Sequence, residues 1–247
     1  MKRIMTIMML VSMAMTGYKQ ATYVKNDEQT SEQNAQGQKK DRLNDEEIEM
    51  VVSAFSAYLK DSVDTEYMNG AISNAKEISR SMGREWDEAI YTENVDKVDS
   101  LMKEGIRLAK MNDFDSLLTL VEHLDMVKIY MHPANTVERE YDFHSALFLI
   151  YSKVYDFEQM APKAIPMMEY SKLHFENLMQ LNPEWAYHPL RANVLSSLAC
   201  LYAAVDKYQE AIATCKEYVE LMKVVNPEDD SAVELLNNIY SDAGITE

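Results

Sequence analysis

The chain is 247 residues long and 47% apolar, with 24 basic and 41 acidic side chains, two cysteines, and six each of glycine and proline. That length fills one or two domains with a real core, and the cysteine, glycine and proline counts exclude a disulfide framework and collagen-like or low-complexity classes. Residues 1–21 hold Lys2, Arg3 and Lys19 and no acid, so the rest of the chain sets 21 basic groups against 41 acidic ones. A body that negative repels phosphate backbones and anionic lipid, which excludes nucleic acid as a partner and favours basic ones.

Lys2 and Arg3 precede an apolar run from Ile4 to Met15, interrupted only by Thr6 and Ser12. A basic start followed by such a run reads as a secretory signal peptide over 1–21, cleaved between Gly17 and Ala21. A membrane anchor needs about twenty apolar residues, and Gly17, Lys19 and Gln20 arrive too early for that. No cysteine follows the run to carry a lipid. The expectation is an exported protein, periplasmic or secreted, with no transmembrane span once the signal is removed. Residues 22–43 read as a flexible polar leader. From Asn26 to Arg42 there is no Val, Ile, Leu, Met, Phe, Tyr or Trp, so burial cannot offset the entropy of ordering that segment.

From Asn44 the body, 44–247, follows the helical period. Ile48, Val51, Val52, Phe55 and Leu59 form one stripe, and Asn44 with Glu47 three residues on makes a capping box. Val63, Tyr67, Ala71, Ala75 and Ile78 repeat the stripe. No segment alternates strictly between turn signals, so no strands are expected. Asn182-Pro183-Glu184 and Asn226-Pro227-Glu228 each read as an N-cap, a first helical residue and an acid matched to the helix dipole.

Self-alignment shows a repeat. A charged residue followed by an aromatic recurs at Asp113-Phe114, Asp156-Phe157 and Lys207-Tyr208. Six residues before each aromatic stand Leu108, Tyr151 and Tyr202. Four residues earlier come Glu104, Leu147 and Leu198, each followed by Gly105, Phe148 and Ala199 in turn. Pro133 and Pro227 both lie nineteen residues past their aromatic, where a helix starting after that aromatic should end. The second copy is longer, and Pro162 and Pro166 read as an inserted loop with its second helix starting near Pro166.

On these residues the chain resembles the tetratricopeptide repeat family, whose signature sets a small residue and two aromatics at fixed offsets before a closing proline. The fullest copy is Leu195, Leu198, Ala199, Tyr202, Tyr208, Ala211, Cys215 and Pro227. A half copy follows at Val233, Leu236, Asn237, Tyr240 and Gly244. The first copy departs at Glu104 and Leu117, the second at Phe148. The match is fullest over 192–244, thinner over 98–191 and thinnest over 44–92. The resemblance implies an exported bacterial protein of all-α class, a right-handed solenoid of antiparallel helical hairpins. In it Gly105, Ala199 and Ala211 would let helices approach, and Phe157 and Tyr208 would wedge between layers. Ser231–Ala243 would close the stack, with Val233, Leu236 and Tyr240 inward. An irregular helical bundle is the alternative.

Chemistry is sparse. His123, His132, His144, His174 and His188 show no metal-ligand spacing and read as surface or capping residues, and no phosphate loop or nucleophile motif occurs. No cofactor or metal is expected. Cys200 and Cys215 fall on different faces in the alignment and read as two buried thiols. The functional surface implied by the resemblance is a concave groove lined by Asp142, Ser145, Lys153, Asn193, Ser196, Glu234 and Asn238, suited to an extended peptide. The expected function is a non-catalytic scaffold of the cell envelope that binds a protein or peptide. The alternatives are an envelope hydrolase or lyase using Asp142 and Glu140 beside His144, and an accessory glycan-uptake protein.

Overall fold

The computed structural model describes residues 42–59, 72–73, 75–77, 79–80 and 85–245. The expected signal peptide, most of the leader and most of the Val63–Ile78 stripe lie outside the described residues. All regular structure among the described residues is helical, with no strand. No helix among them is long and apolar enough to cross a membrane. Packing divides the body into two compact units, Lys40–Val154 and Tyr155–Glu247. The division falls inside the second expected repeat.

The first unit opens with Leu43, the last residue assigned to the leader, which is buried. Helix α1 (Asp45–Ser56) starts at the expected capping box, with Asn44 and Glu47 bonding each other's backbone amides, and ends in a 3-10 turn, Ala57–Leu59. Helix α2 (Glu88–Lys110) is capped by Asp87, and α3 (Phe114–Glu122) by Asp113. The single helix expected between Phe114 and Pro133 is broken. At the end of α3 the His123 and Leu124 amides turn to Leu120 and Val121, and α4 (Met126–Tyr130) starts afresh after Asp125. Helix α5 (Val137–Ser152) follows, capped by Thr136. Helix α1 packs on α2 and α5, and α3 on both α2 and α5.

In the second unit α6 (Phe157–Leu181) runs unbroken through Pro162 and Pro166, where a loop was expected. Both prolines sit on its exposed face, while Ala161, Ala164, Ile165 and Met168 hold the buried one. The carbonyls left without donors therefore face water, and the packed face keeps its period. Pro183 starts a 3-10 turn, Pro183–Tyr187, capped by Asn182. Helix α7 (Pro189–Ala204) takes His188 as its N-cap. Helix α8 (Tyr208–Val225) and α9 (Ser231–Asp242) complete the unit. Asn226-Pro227-Glu228 therefore forms a turn and not a helix start. Each helix packs on its successor from α6 to α9. The inward face of α9 is Ala232, Leu235 and Ile239, with Val233 exposed, one residue out of phase with the expected face.

One turn recurs. Asp113 N bonds Leu108 O and Asn112 N bonds Ala109 O; Lys207 with Tyr202 and Asp206 with Ala203 do the same, as do Ile245 with Tyr240 and Gly244 with Ser241. The middle residues Asn112, Asp206 and Gly244 have φ of 50°, 59° and 68°, so α2, α7 and α9 end in the same left-handed cap. Leu108, Tyr202 and Tyr240 are positions the sequence alignment equated. The fourth, Tyr151, ends α5 with short i to i+3 bonds instead, at the border of the two units.

Candidate functional site

The first unit holds a buried polar cluster that the sequence analysis did not assemble. Phe55 and Tyr58 bring α1 and its 3-10 turn onto Phe143 of α5, with ring centroids 5.0 and 5.3 Å apart. Beside them the turn 131–136 carries Asn135. Its side chain accepts from the Tyr58 hydroxyl at 2.7 Å and donates to a Glu140 carboxylate oxygen at 3.0 Å. Glu140 is 1% exposed and His144, one helical turn on, is 0% exposed. His144 Nε2 lies 3.0 Å from the Tyr130 hydroxyl, ring edge to face. A carboxylate inside a core is tolerated only where such partners surround it.

His132 anchors the same turn. Its Nδ1 accepts the Ala134 amide at 3.1 Å and its Nε2 stands 3.2 Å from an Asp99 carboxylate oxygen on α2. Burial pushes the His132 imidazole below its ordinary value; Asp99 opposes that shift and Arg139 adds to it. His132, His144 and His174 are thus core residues, a correction to the surface reading, whereas His188 and His123 sit at helix ends.

The expected groove residues meet different fates. On α5, Asp142 is exposed, and partial desolvation and then the neighbouring Glu138 charge raise its carboxyl above the usual range. Ser145 is half-buried and donates to Tyr141 O at 2.8 Å. Lys153 is held by Glu47 at 2.5 Å, the same side chain that caps α1, so it ties the end of α5 to the start of α1. In the second unit Ser196 is buried and turns its hydroxyl to Asn193 O, which removes it from any partner surface. Asn193 is half-buried, and Glu234 and Asn238 are exposed on α9.

Glu138, Asp142, Ser145, Leu149 and Ser152 make one solvent-facing row along α5, all exposed or half-buried. Opposite them Val137, Glu140, Phe143, His144, Leu147 and Tyr151 are buried. Asp142 therefore lies on the outer side of the helix and Glu140 and His144 on the inner side. The trio named for an envelope hydrolase is not brought together.

The two cysteines are free and buried, as expected. Burial pushes both thiols up to about 12, where almost no nucleophilic thiolate exists at neutral pH. Tyr202 of α7 donates to Glu169 of α6 at 2.6 Å, and burial followed by that carboxylate raises its phenol strongly. Of the two expected wedges, Phe157 is buried and Tyr208 half-buried. No group of three His, Cys, Asp or Glu side chains among the described residues is arranged to hold a metal. No family model, curated protein or solved structure matches this chain.

Proposed function

We propose that the protein is a non-catalytic scaffold that holds a protein or peptide partner against a tetratricopeptide-like stack of helical hairpins, outside the cytoplasm. The observation that carries this reading is the α5 row Glu138, Asp142, Ser145, Leu149 and Ser152. It is a polar stripe with one apolar step, on a helix fixed by a fully packed opposite face. Rigid helices bearing such rows bind extended segments with little ordering cost. Two carboxylates in the row, on a body of strong negative charge, select a basic segment. The repeated left-handed caps at Asn112, Asp206 and Gly244 support the repeat architecture. The basic, apolar start of the sequence supports export.

The test is co-purification of the chain without residues 1–21 from envelope extract, alongside Glu138→Gln/Asp142→Asn and Asn193→Ala/Asn238→Ala variants. The bound partner should fall at least tenfold in the first variant and should elute with salt. The same partner retained by both variants would remove the groove from the account.

A further inference from the structure

The turn 131–136 is held by an imidazole whose protonation state is written into its hydrogen bonds. A backbone amide can only donate, so His132 Nδ1, which accepts the Ala134 N–H at 3.1 Å, carries no proton. The ring is neutral and its hydrogen is on Nε2, aimed at Asp99 Oδ1 at 3.2 Å. Among the described residues, three elements approach the ring. Asp99 approaches from α2, the Tyr58 ring from the 3-10 turn at 5.6 Å between centroids, and the Arg139 guanidinium from α5. Arg139 also donates to Ala134 O at 3.0 Å. Glu140 stands one link further away, reached through Asn135, and His144 is held by the Tyr130 hydroxyl.

Adding a proton at Nδ1 places two donors against each other, the new N–H and the Ala134 amide. One of them must leave. Asn135 follows Ala134 directly, and its own amide bonds His132 O at 2.9 Å. A displaced Ala134 therefore carries away the side chain that joins Tyr58 to Glu140. We propose that His132 is a proton-operated latch on the 131–136 turn, and that acidification frees the turn from the 3-10 segment after α1 and from α5. Solvent reaches the latch along Asp99, which is half-exposed while His132 is 5% exposed.

The direction agrees with the electrostatics. A folded imidazole held below its ordinary value of about 6.5 binds fewer protons than the unfolded chain. Stability contributed by the neutral ring is complete above that value and is lost as pH falls towards the folded one.

The experiment uses the 15N-labelled chain, following the His132 ring nitrogens and the exchange of the Ala134 and Asn135 amides from pH 7.5 to 5. At pH 7.5 the ring should show the Nε2–H tautomer. As it titrates, protection at Ala134 should fall at least tenfold after correction for intrinsic exchange, while amides in α8 hold theirs. In Asp99→Asn the fall should move to lower pH, because the anion that favours the second proton is gone. In His132→Asn, whose Oδ1 can accept the Ala134 amide and cannot titrate, protection should be flat. An Nδ1–H tautomer overturns the latch, as does a ring that stays neutral until the chain unfolds. Constant Ala134 protection through the titration does the same. If His132→Asn does not fold, the Asp99→Asn shift decides alone, and an unmoved transition there also overturns the latch.

Discussion

The two units of this molecule solve the same problem, a small helical core, by different means. In Lys40–Val154 a polar cluster is buried beside apolar side chains such as Val51, Phe55, Met102, Leu117 and Phe143. Tyr58, Asn135 and Glu140 are hydrogen-bonded in series, Tyr130 pairs with His144, and His132 bonds Asp99 and the Ala134 amide. In Tyr155–Glu247 the centre is apolar: Ala192, Leu195, Val219, Leu221, Met222 and Ala232 form one cluster, with Tyr218 and Leu236 against it. Hydrogen-bonded cores fix geometry because each bond has a direction, and they respond to pH; apolar cores fix volume and do not. The first unit should therefore be sensitive to lost partners as well as to lost volume, and the second chiefly to lost volume. Trp86 lies in the first unit and Trp185 in the second, so single-tryptophan variants can report each one separately.

The largest effect belongs to the apolar core. Leu195 is 0% exposed at the meeting of α7, α8 and α9, and Leu195→Ala should cost about 2–5 kcal/mol through lost burial and the cavity left behind. Urea unfolding followed at Trp185 measures it, and reaction of the two buried thiols with a thiol reagent should accelerate in parallel. A loss below about 1 kcal/mol would show that the site collapses freely and that the core is not packed to solid density.

Next comes Asn135→Ala, which takes a partner from the Tyr58 hydroxyl and from the Glu140 carboxylate at once. Each buried group so deprived costs about 1–3 kcal/mol, more when charged, so a loss of about 3 kcal/mol is expected, read at Trp86. The charged share is separable. Glu140→Gln in the same background should recover part of the loss if the carboxylate's lost bond is the costly one, and none if the Tyr58 hydroxyl's is.

How much of this could be read beforehand depends on which signals compete. The turn positions were legible, because Leu108, Tyr202 and Tyr240 stand in equal register before Asn112, Asp206 and Gly244, and the chain caps all three helices alike. The start of α1 was legible because Asn44 and Glu47 are a local pair. The continuity of α6 was obscured by Pro162 and Pro166, although the apolar period Phe157, Met160, Ala161, Ala164, Ile165, Met168 runs through both. A proline breaks a helix only where its neighbours cannot give up a bond to water. The phase of α9 was misjudged because Ala232, a weak hydrophobic signal, lies inside while Val233 does not.

The polar cluster was the least legible part, since its members come from 58, 99, 130–135 and 140–144 and only the tertiary fold collects them. A clue existed in α5. Glu140 and His144 share the face of Val137, Leu147 and Tyr151, so two titratable groups were already in phase with the core. Of the expected groove residues, Asp142, Glu234 and Asn238 are exposed and Ser145 and Asn193 half-buried. Lys153 was claimed by Glu47 and Ser196 by its own helix, and neither capture leaves a trace in spacing.

Gly105 tests the first unit by volume instead of by polarity. A Cβ built there would lie 2.3 Å from Phe55 Cε1 and 2.5 Å from Phe55 Cδ1. Phe55 is 0% exposed and pressed on Phe143, so its ring has nowhere to retreat. Gly105→Ala should therefore cost about 1–3 kcal/mol by overpacking, despite the helix propensity gained in the middle of α2. Trp86 fluorescence during urea unfolding checks it. A stabilised variant would mean that Phe55 has a second rotamer open to it and that the α1–α2 contact is soft.

The smallest effect reverses sign. Ser197 lies in the middle of α7, buried at 1% exposure, and its hydroxyl has no hydrogen-bond partner among the described residues. An unpaired buried hydroxyl costs desolvation energy and returns nothing, so Ser197→Ala should stabilise the second unit by about 0.5–1 kcal/mol. The methyl that replaces it leaves almost no cavity and suits the helix better. The measurement is a rise in the urea midpoint at Trp185 with an unchanged slope. The matching change in the first unit, Tyr58→Phe, should lower stability instead, because that hydroxyl bonds Asn135. If both substitutions moved stability in the same direction, the polar pairs of the first unit would not be what distinguishes the two cores.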